Sequence, residues 1–262
     1  MSEFTSDSDF SEFVRIVKSG EQGIGAAGAQ RFLDAVLDGA RSRELVVPKG
    51  FTFWRAALGS DMREVEQSGG KFEQDAPHPP KRMIPSPEFA RDGRANAEGV
   101  PCFYAATDKK TAMAEVRPWL NGLVSVACFQ LLKDIKIVDC SKFHAEHAFC
   151  KLLDRRIDDM ESPLTSDEIN KAVWTDIDQS FSKPVARADD KSEYITTQKI
   201  AELFSRNGYE GIAYKSMLTT DGFNIAIFDP SVVEQAMAQL FCLEVLEHKF
   251  SEFPIDEYYC KR

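Results

Sequence analysis

Gly93-Arg-Ala-Asn-Ala-Glu-Gly-Val-Pro-Cys-Phe-Tyr-Ala-Ala-Thr-Asp-Lys-Lys-Thr-Ala-Met-Ala-Glu-Val-Arg117 changes character three times along its length. Gly93 and Gly99 bracket Arg94 and Asn96, which predicts a polar loop whose backbone can turn tightly or approach a ligand closely. Residues 100–106 are apolar, carry Phe103 and Tyr104, and are too few for a helix, so they read as a buried strand leaving that loop. Thr107 or Asp108 can cap a helix running to about Arg117, with Ala112 and Val116 on one face. Pro118 ends the helix by disfavouring helical geometry at Arg117. Glu115 falls in the last turn, where the helix dipole is unfavourable to a carboxylate. Stability does not ask for a glutamate there, and two readings stand: a solvated surface residue, or a carboxylate placed for chemistry.

Working outward, residues 123–132 and 135–138 are apolar and β-branched about Lys133-Asp134 and predict two strands. Thr165-Ser-Asp-Glu168 is a capping box opening a helix with Ile169, Ala172, Val173 and Ile177 as its buried stripe. A second helix over 196–208 turns Ile200, Ala201 and Phe204 inward and stops at Gly208, with Tyr194 and Gln198 able to face one space. Residues 211–216 and 223–228 form a hairpin about Thr219-Thr-Asp-Gly222. Residues 231–253 read as a short helix followed by a strand over 240–246. Towards the N-terminus, Phe10, Phe13, Val14 and Val17, then Phe32, Leu33, Val36 and Leu37, recur at helical spacing. They predict two amphipathic helices that are either packed on the main core or a partner-binding face, packing being the commoner use of an apolar stripe. Residues 60–92, rich in glycine, proline and charge, predict a long mobile loop. The domain organisation that follows is a helical extension over 1–45 and a main domain over 46–262, of α+β class because strands and helices do not alternate regularly.

The central stretch resembles the signature of the RES domain family, named for an arginine, a glutamate and a serine and found as toxins of bacterial toxin-antitoxin pairs. The family's Gly-Arg-aromatic-Asn-x-x-Gly loop corresponds to residues 93–99, with Ala95 in place of the aromatic, and its Ala-x-x-Glu-Val-Arg helix to residues 112–117. Phe53-Trp-Arg-Ala56 resembles the family's aromatic-arginine entry motif. Gly211-Ile-Ala-Tyr-Lys-Ser216 and Asn224-Ile-Ala-Ile-Phe-Asp-Pro230 resemble its closing strands, with Ser216 in the place of the name-giving serine. The resemblance implies a bent, split sheet with flanking helices, similar to the mono-ADP-ribosyltransferase fold, holding NAD+ as substrate. It further implies Glu115, Arg94 and Ser216 as catalytic residues, and Arg55, Arg94, Tyr104, Ser216 and Asn224 as residues binding NAD. Glu115 would face the positive charge that spreads over the ribose as nicotinamide departs. Arg94 and Arg55 would meet phosphate, Tyr104 would stack on the nicotinamide ring, and Ser216 and Asn224 would donate hydrogen bonds. The implied partners are NAD+, a phosphate co-substrate and an antitoxin protein docking on Arg55, Arg91 and Arg94. Protein mono-ADP-ribosyltransferase activity and a non-catalytic binding module are the alternatives.

Composition narrows the field independently. With 32 basic against 42 acidic residues the net charge is -10, which repels nucleic-acid phosphates. No apolar run is long enough to span a bilayer and the N-terminus lacks the pattern of a signal peptide, so a cytoplasmic protein is expected. The 6 cysteines contain no Cys-x-x-Cys pair and read as reduced, mainly buried thiols. His144, His147 and Cys150 fall on one side of a helix but lack a further ligand at matching spacing, so no metal is expected.

Overall fold

Alternation along the strands sorts side chains into two apolar layers on the opposite faces of one sheet. Strand β5 (Phe103–Ala106) sends Phe103 and Ala105 to one layer and Tyr104 to the other. Strands β7 (Ile135–Asp139), β8 (Gly211–Lys215) and β9 (Phe223–Ile227) sort likewise: Ile135, Ile137, Ala213, Ile225 and Ile227 on the first side, Val138, Ile212, Tyr214 and Ala226 on the second. The sheet is completed by β1 (Glu44–Val47), β2 (Thr52–Leu58), β6 (Leu123–Leu131) and β10 (Val233–Cys242), in the order β1-β7-β8-β9-β5-β2-β6-β10. Among the described strands only β7 and β8 pair parallel. This computed structural model describes residues 3–67, 70–142, 164–183 and 192–247. The architecture is α+β.

The sheet splits in its middle. β2 pairs with β6 along its whole length, but its ladder to β5 is the single pair Trp54↔Ala106. Phe103 on β5 and Phe129 on β6 nevertheless meet edge to face at 4.8 Å, although β2 lies between their strands. In a flat sheet such strands would stand roughly 9–10 Å apart, so the sheet is sharply bent there.

The second apolar layer is covered by helices. Helix α1 (Asp9–Ser19) and α2 (Ile24–Ala40) bring Phe10, Phe13, Phe32 and Val36 into one cluster with Trp174, Ile177 and Phe181 of α5 (Ser166–Ser182) and Ile200 and Phe204 of α6 (Ser192–Arg206). Two shorter helices are α3 (Pro80–Met83) and α4 (Lys109–Glu115). The N-terminal helices therefore pack on the core, as the commoner reading of their stripes expects. Thr165 opens α5 with the complete capping box, and Gly208, at φ 82°, follows the end of α6.

Three readings are corrected. Residues 60–92 are not a long loop: β3 (Asp61–Gln67) and β4 (Gly70–Ala76) pair antiparallel as a separate ribbon, followed by α3. The ribbon is largely solvated on both faces, so it lacks the apolar alternation that marks a half-buried strand. The C-terminal strand occupies 233–242 rather than 240–246 and is preceded by a 3-10 turn at Pro230–Val232 in place of a helix; a bulge between Gln235 and Met237 breaks its period. Strand β1 was not anticipated; it starts inside the segment read as helical. His144, His147 and Cys150 lie outside the described residues. Of the described cysteines, Cys102, Cys128 and Cys140 are buried free thiols and Cys242 is an exposed one.

Candidate active site

A cleft of about 790 Å³ opens where the sheet splits, walled by Trp54, Arg55 and Ala56 of β2, Tyr104 to Ala106 of β5, and the end of α4. Asp108 caps α4, its carboxylate accepting from the Thr111 amide. The helix is short, and its last residue, Glu115, projects into the cleft wall. Ser216 Oγ and Asn224 Nδ2 both donate to Glu115 Oε1 at 2.7 Å. Ser216 is 2% and Asn224 5% exposed, so two buried donors offset the unfavourable helix end. Among the described residues nothing hydrogen-bonds Oε2. The three residues come from α4, the end of β8 and the start of β9, and the structure brings them together through Glu115 Oε1, which takes up the hydrogen bonds expected to go to the ligand.

Arg55 is the cation of the floor. Its Nη1 donates to the Tyr104 carbonyl at 2.6 Å, its Cζ lies 5.5 Å from the Phe103 ring centre, and its Nε is buried without a partner. Burial holds its pKa below the ordinary arginine value, the opposing influences being only Cys102 and Tyr104. No carboxylate of the described residues pairs with it. A partly buried guanidinium that lines the cleft and faces no carboxylate among the described residues favours an anion brought by a ligand.

Arg94 also lines the cleft, with its fork engaged elsewhere: Nη1 donates to Phe181 O at 2.6 Å and Nη2 to Lys183 O. It thereby ties the glycine loop to the C-terminal end of α5, where a cation is favoured. Tyr104 engages its hydroxyl within the glycine loop, donating to Asn96 Oδ1 at 2.7 Å and accepting from the Ala95 amide at 2.9 Å. Burial, with Cys102 and Tyr214 adding to it, pushes its pKa well above the ordinary phenol value. Asn96 Nδ2 in turn donates to the carbonyls of Arg91, Ala97 and Val100. Gly93 is required here, since an added Cβ would stand 2.5 Å from the Tyr104 hydroxyl. Gln198 Nε2 donates to Gly93 O and Asn96 O, so of the expected pair only Tyr194 lines the cleft. Ala95 is buried in the helix-side core and is no part of the cleft wall. Of the three arginines expected on the surface for a partner, only Arg91 is exposed.

Tyr214, Arg117 and Trp119 also line the cleft and were not anticipated. Tyr214 was visible only as an apolar strand residue; burial raises its pKa, opposed by the Arg94 guanidinium against its hydroxyl. Arg117-Pro118 carried a stop signal and nothing about direction.

A comparison with known families matches the RES domain over residues 73–245, more than half of the chain. The chain belongs to the RES domain family. No curated protein sequence matches it. Among solved structures, the M. tuberculosis MbcT-MbcA toxin-antitoxin complex has a chain similar to this one at 12% identity, covering 79% of this chain and 91% of that one with a TM-score of 0.38. For this RES protein, no helix among the described residues is long and apolar enough to cross a membrane. Among the same residues no group of three or more His, Cys, Asp or Glu could hold a metal ion.

Proposed function

We propose that this RES protein consumes NAD+ by cleaving the bond between nicotinamide and ribose. The observation that carries the reading is Glu115: two buried donors fix Oε1, and among the described residues nothing bonds Oε2 at the cleft wall. NAD+ has already a positively charged leaving group. As its C–N bond breaks, the electron pair leaves with nicotinamide and positive charge develops on the ribose. A fixed carboxylate stabilises that charge without reorganising. The acceptor oxygen, from phosphate or water, then forms the new C–O bond at the same carbon, its proton passing to solvent. Arg55 supplies the cation for the pyrophosphate, Arg94 adds positive charge while bracing the wall, and Tyr104 positions the loop beside the nicotinamide end. No side chain has to protonate the leaving group, which fits a cleft whose described walls carry one carboxylate.

Uncontrolled loss of NAD+ would arrest the host, so the same reading makes the protein the toxin of a toxin-antitoxin pair, acting in the cytoplasm and held by a partner protein. The test is NAD+ loss and nicotinamide release by the purified protein, with and without inorganic phosphate. Release that accelerates with phosphate identifies a phosphorylase, and equal release in both identifies a hydrolase. ADP-ribose appearing on protein identifies the transferase alternative. Undisturbed NAD+ in every arm rejects the enzyme reading in favour of a binding module.

A further inference from the structure

The cleft has two ends of different character. At the floor Ser216 and Asn224 are buried around Glu115. Just beyond Glu115 the chain runs out to the mouth, where Arg117 is exposed and Trp119 is 60% exposed, both lining the same cleft. Arg117 pairs with no carboxylate among the described residues. It also adopts φ 47°, a left-handed conformation that a non-glycine residue takes at a cost. The segment that carries these side chains is braced by backbone bonds. Arg117 N donates to Ala114 O, Gly122 N to Trp119 O, Asn121 N to Leu243 O and Leu243 N to Gly122 O, at 2.8–3.1 Å. Trp119 is packed over Gly122, where an added Cβ would stand 2.8 Å from the Trp119 carbonyl and 3.1 Å from the indole nitrogen. A bulky aromatic held at the mouth of a cleft, with most of its surface in water, contributes little to folding.

We propose that Arg117 and Trp119 form a second subsite, which takes the adenylate end of the dinucleotide: the base stacks on the Trp119 indole and the adjoining phosphate meets the Arg117 guanidinium. This inference rests on the NAD+ reading of the floor. An exposed indole suits any base, since every base has a π-face, and a guanidinium that lines the same cleft and pairs with no carboxylate among the described residues suits phosphate. The subsite would hold the half of the substrate that does not react and so place the ribose against Glu115.

The experiment titrates NAD+, ADP-ribose, AMP and nicotinamide into the wild type, Trp119→Ala, Trp119→Phe and Arg117→Gly by calorimetry, with steady-state kinetics on NAD+. Glycine at 117 removes the charge and suits the positive φ. Trp119→Ala is expected to weaken AMP and ADP-ribose binding roughly five- to a hundredfold, the range of one lost base stack. Nicotinamide should bind as before, the kinetic loss should fall on KM, and Trp119→Phe should recover most of the affinity. Arg117→Gly should weaken the same two ligands and flatten their salt dependence. If the wild type binds NAD+ and Trp119→Ala and Arg117→Gly bind AMP and ADP-ribose as tightly as it does, the subsite is rejected while the floor stands. If the wild type binds neither NAD+ nor ADP-ribose, the reading of the floor fails and the subsite with it.

Discussion

Ser216 acts on Glu115 through a hydroxyl that donates at 2.7 Å while accepting from the Leu218 amide. Removing a hydrogen bond to a charged group costs about 1.5–3 kcal/mol, so Ser216→Ala should lower turnover roughly ten- to a hundredfold, Asn224 retaining the carboxylate in part. Steady-state kinetics on a variant of unchanged melting temperature checks this. Tyr104 has the opposite kind of task. Its hydroxyl satisfies the Ala95 amide and Asn96 in a buried loop, so Tyr104→Phe should cost about 1–3 kcal/mol in denaturant unfolding. Its raised pKa also sets the sign of an alkaline effect. An acid that ionises more readily unfolded than folded contributes stability below its unfolded pKa of about 10, and that contribution fades as pH rises towards the folded value. The wild type should therefore lose stability above about pH 10 more steeply than Tyr104→Phe, measured as melting temperature against pH.

The elements that matter for the site are α4 and the β8–β9 hairpin, and their seam has no slack. Thr111 Oγ1 of α4 donates to Asp108 and bonds Thr219 Oγ1 at 2.8 Å, while Gly222 O accepts from Ser216 N and from the buried Lys215 Nζ. A Cβ on Gly222 would fall 1.8 Å from Thr111 Oγ1. Gly222→Ala should push the hairpin off α4, separating Ser216 and Asn224 from Glu115, with a fall in melting temperature and in turnover together; an active, equally stable variant would show that the seam is not what sets the site. Much of this was legible. Asp108 as a cap, Pro118 as a stop and the paired apolar runs around 219–222 are local signals, and α4 and the hairpin follow from them. What joins them was not, because Thr111, Thr219 and Gly222 meet across about a hundred residues with no pattern in the chain. The same holds for Arg94, whose partners are carbonyls of Phe181 and Lys183 and carry no residue signature. The β3–β4 ribbon escaped because solvated strands lack the alternation that burial imposes.

At the scale of the molecule, the bent sheet creates the cleft and the N-terminal helices back the layer behind it. Phe13 stacks on Phe32 at 4.5 Å within the cluster that contains Trp174 and Phe204. If these helices are one cooperative unit with the sheet, Phe13→Ala should lower the single unfolding transition of the whole protein by about 3–5 kcal/mol. An early separate transition, with the main one unmoved, would instead make residues 1–45 an independent extension. The bend also brings into one cleft a half-buried arginine and a carboxylate oxygen that, among the described residues, have no counter-ion and no hydrogen-bond donor respectively, and on that pairing the account rests. The most direct test is the rate of NAD+ loss in purified wild type against Glu115→Gln, matched in melting temperature. The account predicts rapid loss in the wild type and a rate roughly a hundred- to a thousandfold lower in Glu115→Gln, the usual effect of losing one preorganised electrostatic group. Equal rates in the two proteins, or no loss in the wild type, would contradict it.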